Sequence, residues 1–159
     1  PWPPLTEAIG VEPADTFQEK AEPYMSWATT EYVYLDGELP IVPLTLNDAF
    51  PTTRSGFHKT TLLAALRDQR DRETFIDYWL NDHAPRATQR QQEAGALRYV
   101  VSISQEPDEP FVGMAEIYFD GAESAHRYFS ARERDRLEDW MDPDSTLVLT
   151  SQTEMIGIP

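Results

Sequence analysis

The sequence predicts an α+β domain whose elements follow the order β-α-β-β-α-β, and three observations carry this. Leu97, Tyr99, Val101 and Ile103 alternate with Arg98, Val100, Ser102 and Ser104, the period of two expected of a strand. Ile76, Trp79, Leu80 and His83 fall at i, i+3, i+4 and i+7, the stripe of a helix with one buried face. Short apolar runs around Leu62–Leu66, Val112–Phe119 and Leu147–Leu149 sit between charged or turn-forming residues, as strands do.

Composition changes near residue 57. Residues 1–57 hold eight of the 13 prolines and two basic residues, Lys20 and Arg54, against nine acidic ones. The segment reads as a Pro-rich N-terminal arm and linker, with a short helix over 15–24 and an alternating strand Tyr32–Leu35. An extended run over 39–46 follows, confined to a sheet edge by Pro40 and Pro43, and 49–56 is turn-rich. Residues 58–159 form the regular domain. Its first strand is Lys59–Leu66 and its first helix spans 72–82, with Asp71 as N-cap. Pro85 ends or kinks that helix just after His83, because a proline lacks the N–H and pushes its predecessor out of the α region. A helical piece from Arg86 stops at Gly95, a position suited to a left-handed cap. Strands 97–104 and 112–119 follow, then a helical stretch over 122–140 and a last strand over 145–155. The order is the ferredoxin-like split unit, whose sheet leaves one apolar face bare and calls for a second sheet to cover it, by dimerisation or a second module.

The chain has 159 residues and a formal net charge of −15, with 28 acidic against 13 basic residues. An acidic surface without a Lys/Arg stripe repels phosphate backbones and anionic headgroups, so neither nucleic acid nor membrane is an expected partner. The absence of cysteine removes disulfides, thiolate nucleophiles and Cys-ligated metals, and the three histidines, His58, His83 and His126, are too far apart in sequence to suggest a metal site. No apolar run approaches the roughly 20 residues of a membrane span, and no signal-peptide pattern is visible, so the expected location is the cytoplasm.

Phe75-Ile-Asp-Tyr-Trp-Leu-Asn-Asp-His83-Ala-Pro85, followed by Leu97-Arg-Tyr99-Val100 and Ala115-Glu116-Ile-Tyr-Phe119, resembles the EthD-like family of the dimeric α+β barrel superfamily over roughly residues 58–155. The resemblance implies a ferredoxin-like module paired with a second copy into a dimeric barrel, residues 1–57 being an arm or the remnant of a preceding module. It also implies proton-transfer chemistry of the lyase, isomerase or cyclase kind on a small aromatic, polyketide-like or lactone substrate, without a cofactor or metal. The histidine that ends the first helix, here His83, then resembles the general base, and His58 at the first strand matches a second histidine of some cyclases.

His83 has a case apart from family. Its ordinary pKa near 6.5 suits acid–base work at neutral pH, and it shares the inward stripe of Ile76 and Trp79; the alternative is a buried histidine tied to a carbonyl. Tyr99 is a candidate phenolic donor or a core aromatic. Trp79, Phe75, Tyr118 and Glu116 are candidate substrate contacts, Glu116 being either a buried carboxylate or solvent-facing. His126 reads as a surface residue, and the Arg132–Arg136 run as a solvated helical face. Two further readings stay open: a non-catalytic ligand-binding or accessory subunit, and a haem-binding barrel using His83 or His58.

Overall fold

The computed structural model describes residues 27–39, 56–131 and 134–154. Five strands, β1 (Thr29–Asp36), β2 (Gly56–Ala64), β3 (Ala96–Ser104), β4 (Gly113–Phe119) and β5 (Leu147–Glu154), form one antiparallel sheet in the order β1-β3-β4-β2-β5. Without β1, the order and the two helical crossovers are those of the ferredoxin-like unit. β1 adds itself to the free edge of β3, with Tyr32 opposite Val101 and Val33 opposite Val100. The expected helix over 15–24, and the runs 39–46 and 49–56 apart from Leu39 and Gly56, lie outside the described residues.

The first crossover begins with a 3-10 turn, Gln69–Asp71, and continues as α1 (Arg72–Tyr78), a π turn Trp79–His83, and α2 (Ala84–Ala94). Asp71 makes no side-chain cap; Asp68 does the capping, accepting the Arg70 amide at 3.0 Å. Pro85 does not stop the helix, which runs on as α2 to Ala94. The chain widens instead, and the Ala84 amide reaches the Trp79 carbonyl five residues back. In that register the next bond would run from residue 85 to the Leu80 carbonyl, and a proline has no hydrogen to give. The Tyr34 hydroxyl of β1 donates to that carbonyl at 2.7 Å. Gly95 closes α2 with φ 97°, as its left-handed role requires, and a β-carbon there would also lie 2.9 Å from Ser124 Oγ.

The second crossover is two helices, α3 (Ala122–Ser130) and α4 (Leu137–Trp140), rather than one continuous stretch. Asp135 accounts for the restart: its Oδ1 accepts the Leu137 amide at 2.9 Å and its carbonyl accepts the Glu138 amide at 3.1 Å. The chain after α4 is tied to the end of β2 by Arg67 N–H to the Trp140 carbonyl at 3.0 Å and Asp142 N–H to the Ala65 carbonyl at 2.8 Å.

Helices cover one face of the sheet. There Phe75 and Trp79, fully buried and edge-on with ring centroids 5.2 Å apart, meet Tyr99, Val101, Ala115, Ile117 and Phe119. β3 is buried on both faces, Val100, Ser102 and Ser104 included; the alternation in its sequence suggested burial on one face only. The outer face is less apolar than the bare face expected of this unit. Lys59 and Glu116 form an ion pair on it, the Tyr118 hydroxyl donates to Glu116 Oε2 at 3.3 Å, and Phe57 packs on Tyr118 at 5.2 Å. Among the described residues its exposed large apolar side chains are Val33, Leu147 and Leu149.

Candidate functional site

The inner face opens into a cavity of about 170 Å³ between the sheet and the helices. Thr60 and Leu62 of β2, Ala115 and Ile117 of β4 and Tyr99 of β3 supply its floor, the pairings Thr60–Ile117 and Leu62–Ala115 setting these residues side by side. Trp79 and His83 enter from the two ends of the π turn, Gln91 from α2 and Tyr128 from α3, while the exposed Phe129 and Val148 line it where it meets solvent. An engineered cavity of about 150 Å³ holds benzene, so the space accepts one substituted ring. No Lys, Arg, Asp or Glu lines it among the described residues.

His83 is oriented from behind. Its Nδ1 lies 3.1 Å from Asp135 Oδ1, with both side chains largely buried, and Arg86 Nη2 stands 3.8 Å from the other carboxylate oxygen. The ionised carboxylate can only accept, so a proton on Nδ1 is the one it can hold, and the ring it faces lines the cavity. Burial alone would raise the pKa of Asp135, but the Leu137 amide, His83 and Arg86 together hold it below its usual range. Asp135 is therefore an anion fixed by its own helix cap.

Tyr99 is 1% exposed, and burial drives its phenol pKa well above the ordinary value; the Trp79 indole N–H, which acts on the hydroxyl without reaching hydrogen-bond geometry, offsets only part of this. The phenol stays protonated across the neutral range and can act only as a neutral donor or acceptor. Its ring leans on Tyr34 at 5.6 Å.

Of the residues singled out from the sequence, His83, Tyr99 and Trp79 meet at this cavity. Phe75 does not line it: it is buried beneath the cavity wall against Trp79 and Trp140. Glu116 and Tyr118 lie on the opposite face, because the strand parity that turns Ala115, Ile117 and Phe119 inward turns them out. His58 stands opposite Phe119 and Gln152 at the far end of β2 and is not part of the lining. His126 is exposed on α3, as its sequence context suggested. The solvated face expected of 132–136 needs correction at Asp135, whose side chain is 11% exposed and holds His83. The space beside His83 is the size of about one ring, smaller than the macrocycle that the haem reading needs.

Sequence reasoning missed Asp135, Gln91 and Thr60. Asp135-Arg-Leu-Glu138 has the spacing of a helix capping box, which would have marked Asp135 as a held side chain. Gln91 interrupts the small-residue stripe Ala84, Ala87, Ala94 on α2, and Thr60 precedes Leu62 and Ala64 on the inward side of β2; a polar residue on an apolar stripe was the available signal.

No helix among the described residues is long and apolar enough to cross a membrane, and no cluster of metal-ligating side chains occurs among them. No curated protein matches the chain. Among solved structures the chain is similar to a dimeric ferredoxin-like protein from an uncultured marine organism, at 12% identity and a TM-score of 0.47, over 65% of this chain and 91% of that one. Residues 67–144, the segment from just after β2 to just before β5 that carries His83, Gln91, Tyr99 and Asp135, match the family model of the EthD domain.

Proposed function

We propose that the chain is an enzyme of the lyase, isomerase or cyclase kind that moves a proton on a ring-sized carbonyl or phenolic compound, with His83 as general base. The observation that carries this is the Asp135–His83 pair at 3.1 Å on the wall of a cavity that also holds a neutral, buried Tyr99. In the proposed step His83 Nε2 takes a proton from the carbon beside a substrate carbonyl. The C–H electron pair becomes part of a carbon–carbon double bond, and the carbonyl pair moves to oxygen. Tyr99 donates a hydrogen bond to that oxygen, and Asp135 stabilises the imidazolium. The proton then returns to another carbon or to a leaving group, or the enolate carbon attacks a second carbonyl. These outcomes are isomerisation, elimination and cyclisation. None needs a redox partner.

Deuterium exchange tests the reading without the natural substrate. A panel of small uncharged cyclic ketones and butenolides, incubated with the protein in D2O, should lose α-proton NMR signals faster than in buffer, and His83→Ala should remove at least about 100-fold of that rate. Equal rates in wild type and His83→Ala would overturn the assignment. Binding of the panel without any catalysed exchange would favour a non-catalytic ligand carrier.

We further propose a homodimer in which the outer face of one sheet covers that of a second copy. Val33, Leu147 and Leu149 are exposed there around the Lys59–Glu116 pair, and a self-complementary face with a charged centre suits a two-fold contact.

A further inference from the structure

Three polar atoms at the cavity make no hydrogen bond of good geometry within the protein: Thr60 Oγ1, Gln91 Oε1, and Trp79 Nε1, which faces the Tyr99 hydroxyl without reaching that geometry; the residues are 4%, 1% and 0% exposed. Buried polar groups are ordinarily satisfied, and three ill-paired atoms gathered on one cavity are costly unless something fills them. Their chemistry is specific. The indole N–H only donates, the glutamine oxygen only accepts, and the threonine hydroxyl does either. The Gln91 amide nitrogen is directed elsewhere, 3.5 Å from the Tyr128 hydroxyl, which leaves the oxygen as its contribution to the cavity. Tyr99 adds a phenol that burial keeps protonated, and among the described residues no Lys or Arg lines the space.

From this set we infer that the cavity selects an uncharged, ring-sized ligand bearing one hydrogen-bond acceptor for Trp79 and one donor for Gln91, and rejects the corresponding carboxylate. An anion entering this cavity would lose its hydration with no Arg or Lys among the described lining residues to replace it. A purely apolar ring would fill the volume but give none of the three atoms a well-aligned partner. The inference rests on the reading of this cavity as the ligand site and adds the substrate class to it.

The test compares three probes of similar size: benzamide, which is uncharged with an acceptor and a donor; benzoate; and toluene. Binding to the full chain is followed by calorimetry and by the Trp79 indole N–H resonance in ¹H–¹⁵N spectra, assigned with Trp79→Phe. Benzamide should bind at least about tenfold more tightly than benzoate or toluene and move that resonance, since each hydrogen bond gained is worth about three- to tenfold. Thr60→Val and Gln91→Leu should each weaken benzamide by a similar factor and leave toluene unchanged. Thr60→Val should also raise the thermal midpoint of the ligand-free protein, because it removes an unsatisfied hydroxyl without changing shape; this readout shows that the variant folds. Equal binding of the three probes would overturn the selectivity while leaving the cavity as a ligand site, and preferred binding of benzoate would overturn it outright. Failure of all three to bind would overturn both the selectivity and the site.

Discussion

The Tyr34 hydroxyl on β1 donates a hydrogen bond to the Leu80 carbonyl in the π turn, at 2.7 Å across 46 residues of sequence. It joins a strand at the sheet edge to the one helical carbonyl that Pro85 deprives of its donor, three residues before His83. The extra width of that turn keeps Trp79 and His83 on the same side, toward the cavity. We expect Tyr34→Phe to cost about 1–2 kcal/mol in urea unfolding, the penalty for a half-buried carbonyl left without a partner. Hydrogen exchange should show faster opening at residues 79–84 while β4 keeps its protection. Uniform loss of protection across the sheet would mean that the bond serves packing rather than the turn.

Asp135 links stability to pH. Its carboxyl is held below the ordinary range in the folded chain, since the Leu137 amide, His83 and Arg86 outweigh the opposing effect of burial. The unfolded chain therefore takes up the proton first as pH falls. The stabilisation is fully present above the unfolded pKa of about 4 and disappears as pH drops through the folded value. Asp135→Asn should flatten the acid limb of the stability profile below about pH 4. In the proposed reaction it should also lower turnover about tenfold or more while leaving KM nearly unchanged, because an amide no longer holds one tautomer of His83. A variant with unchanged turnover would leave Asp135 as a helix cap only.

The sequence shows how far this site can be read before folding. The helical stripe placed His83 and Trp79 on one face, and the β3 alternation named Tyr99, since local periodicity determines which side chains turn together. Periodicity is silent on which face of a strand meets helices, and that ambiguity put Glu116 and Tyr118 beside residues from which a whole sheet separates them. Asp135 lies among alternating charges, the usual mark of a solvated surface, and only the return of α4 onto the turn below His83 buries it. Similarly, Tyr32–Leu35 announces a strand, but its pairing with β3, some 65 to 70 residues on, follows from the open edge that the sheet order leaves. Pro85 looks like a helix stop until a tyrosine from that distant strand supplies the missing donor.

Gly95 offers a backbone test at the far end of the same helical crossover. With φ at 97° it occupies a region that side chains adopt only at about 1–2 kcal/mol, and a new β-carbon would sit 2.9 Å from Ser124 Oγ, against α3. Gly95→Ala should therefore lower stability by about 2 kcal/mol in denaturant unfolding. Gly121, the extended N-cap of α3 with nothing within 4 Å of the corresponding position, is the comparison: Gly121→Ala meets no clash and no left-handed strain, and should cost less than Gly95→Ala.

The outer face carries the prediction about assembly. Leu149 pairs with Thr61 and Leu147 with Leu63, so both project on the side away from the helices, where they are 53% and 44% exposed. Between them and Val33 runs the Lys59–Glu116 pair, in which the Glu116 carboxylate overcomes burial and holds the lysine above its ordinary pKa. Two such faces related by a two-fold axis would shield the leucines and withdraw the ion pair from water, which strengthens the contact only while the pair stays intact. Light scattering on the full chain should then report twice the mass of one chain, and Leu149→Lys should return it to one without loss of fold by circular dichroism. Glu116→Gln, which strands a half-buried lysine at the contact, should weaken association less than Leu149→Lys but more at low salt than at high, since the repulsion between the two uncompensated lysines is screened. A monomeric wild-type chain at all concentrations tested would leave the leucines as ordinary surface residues and remove the second copy from the proposal.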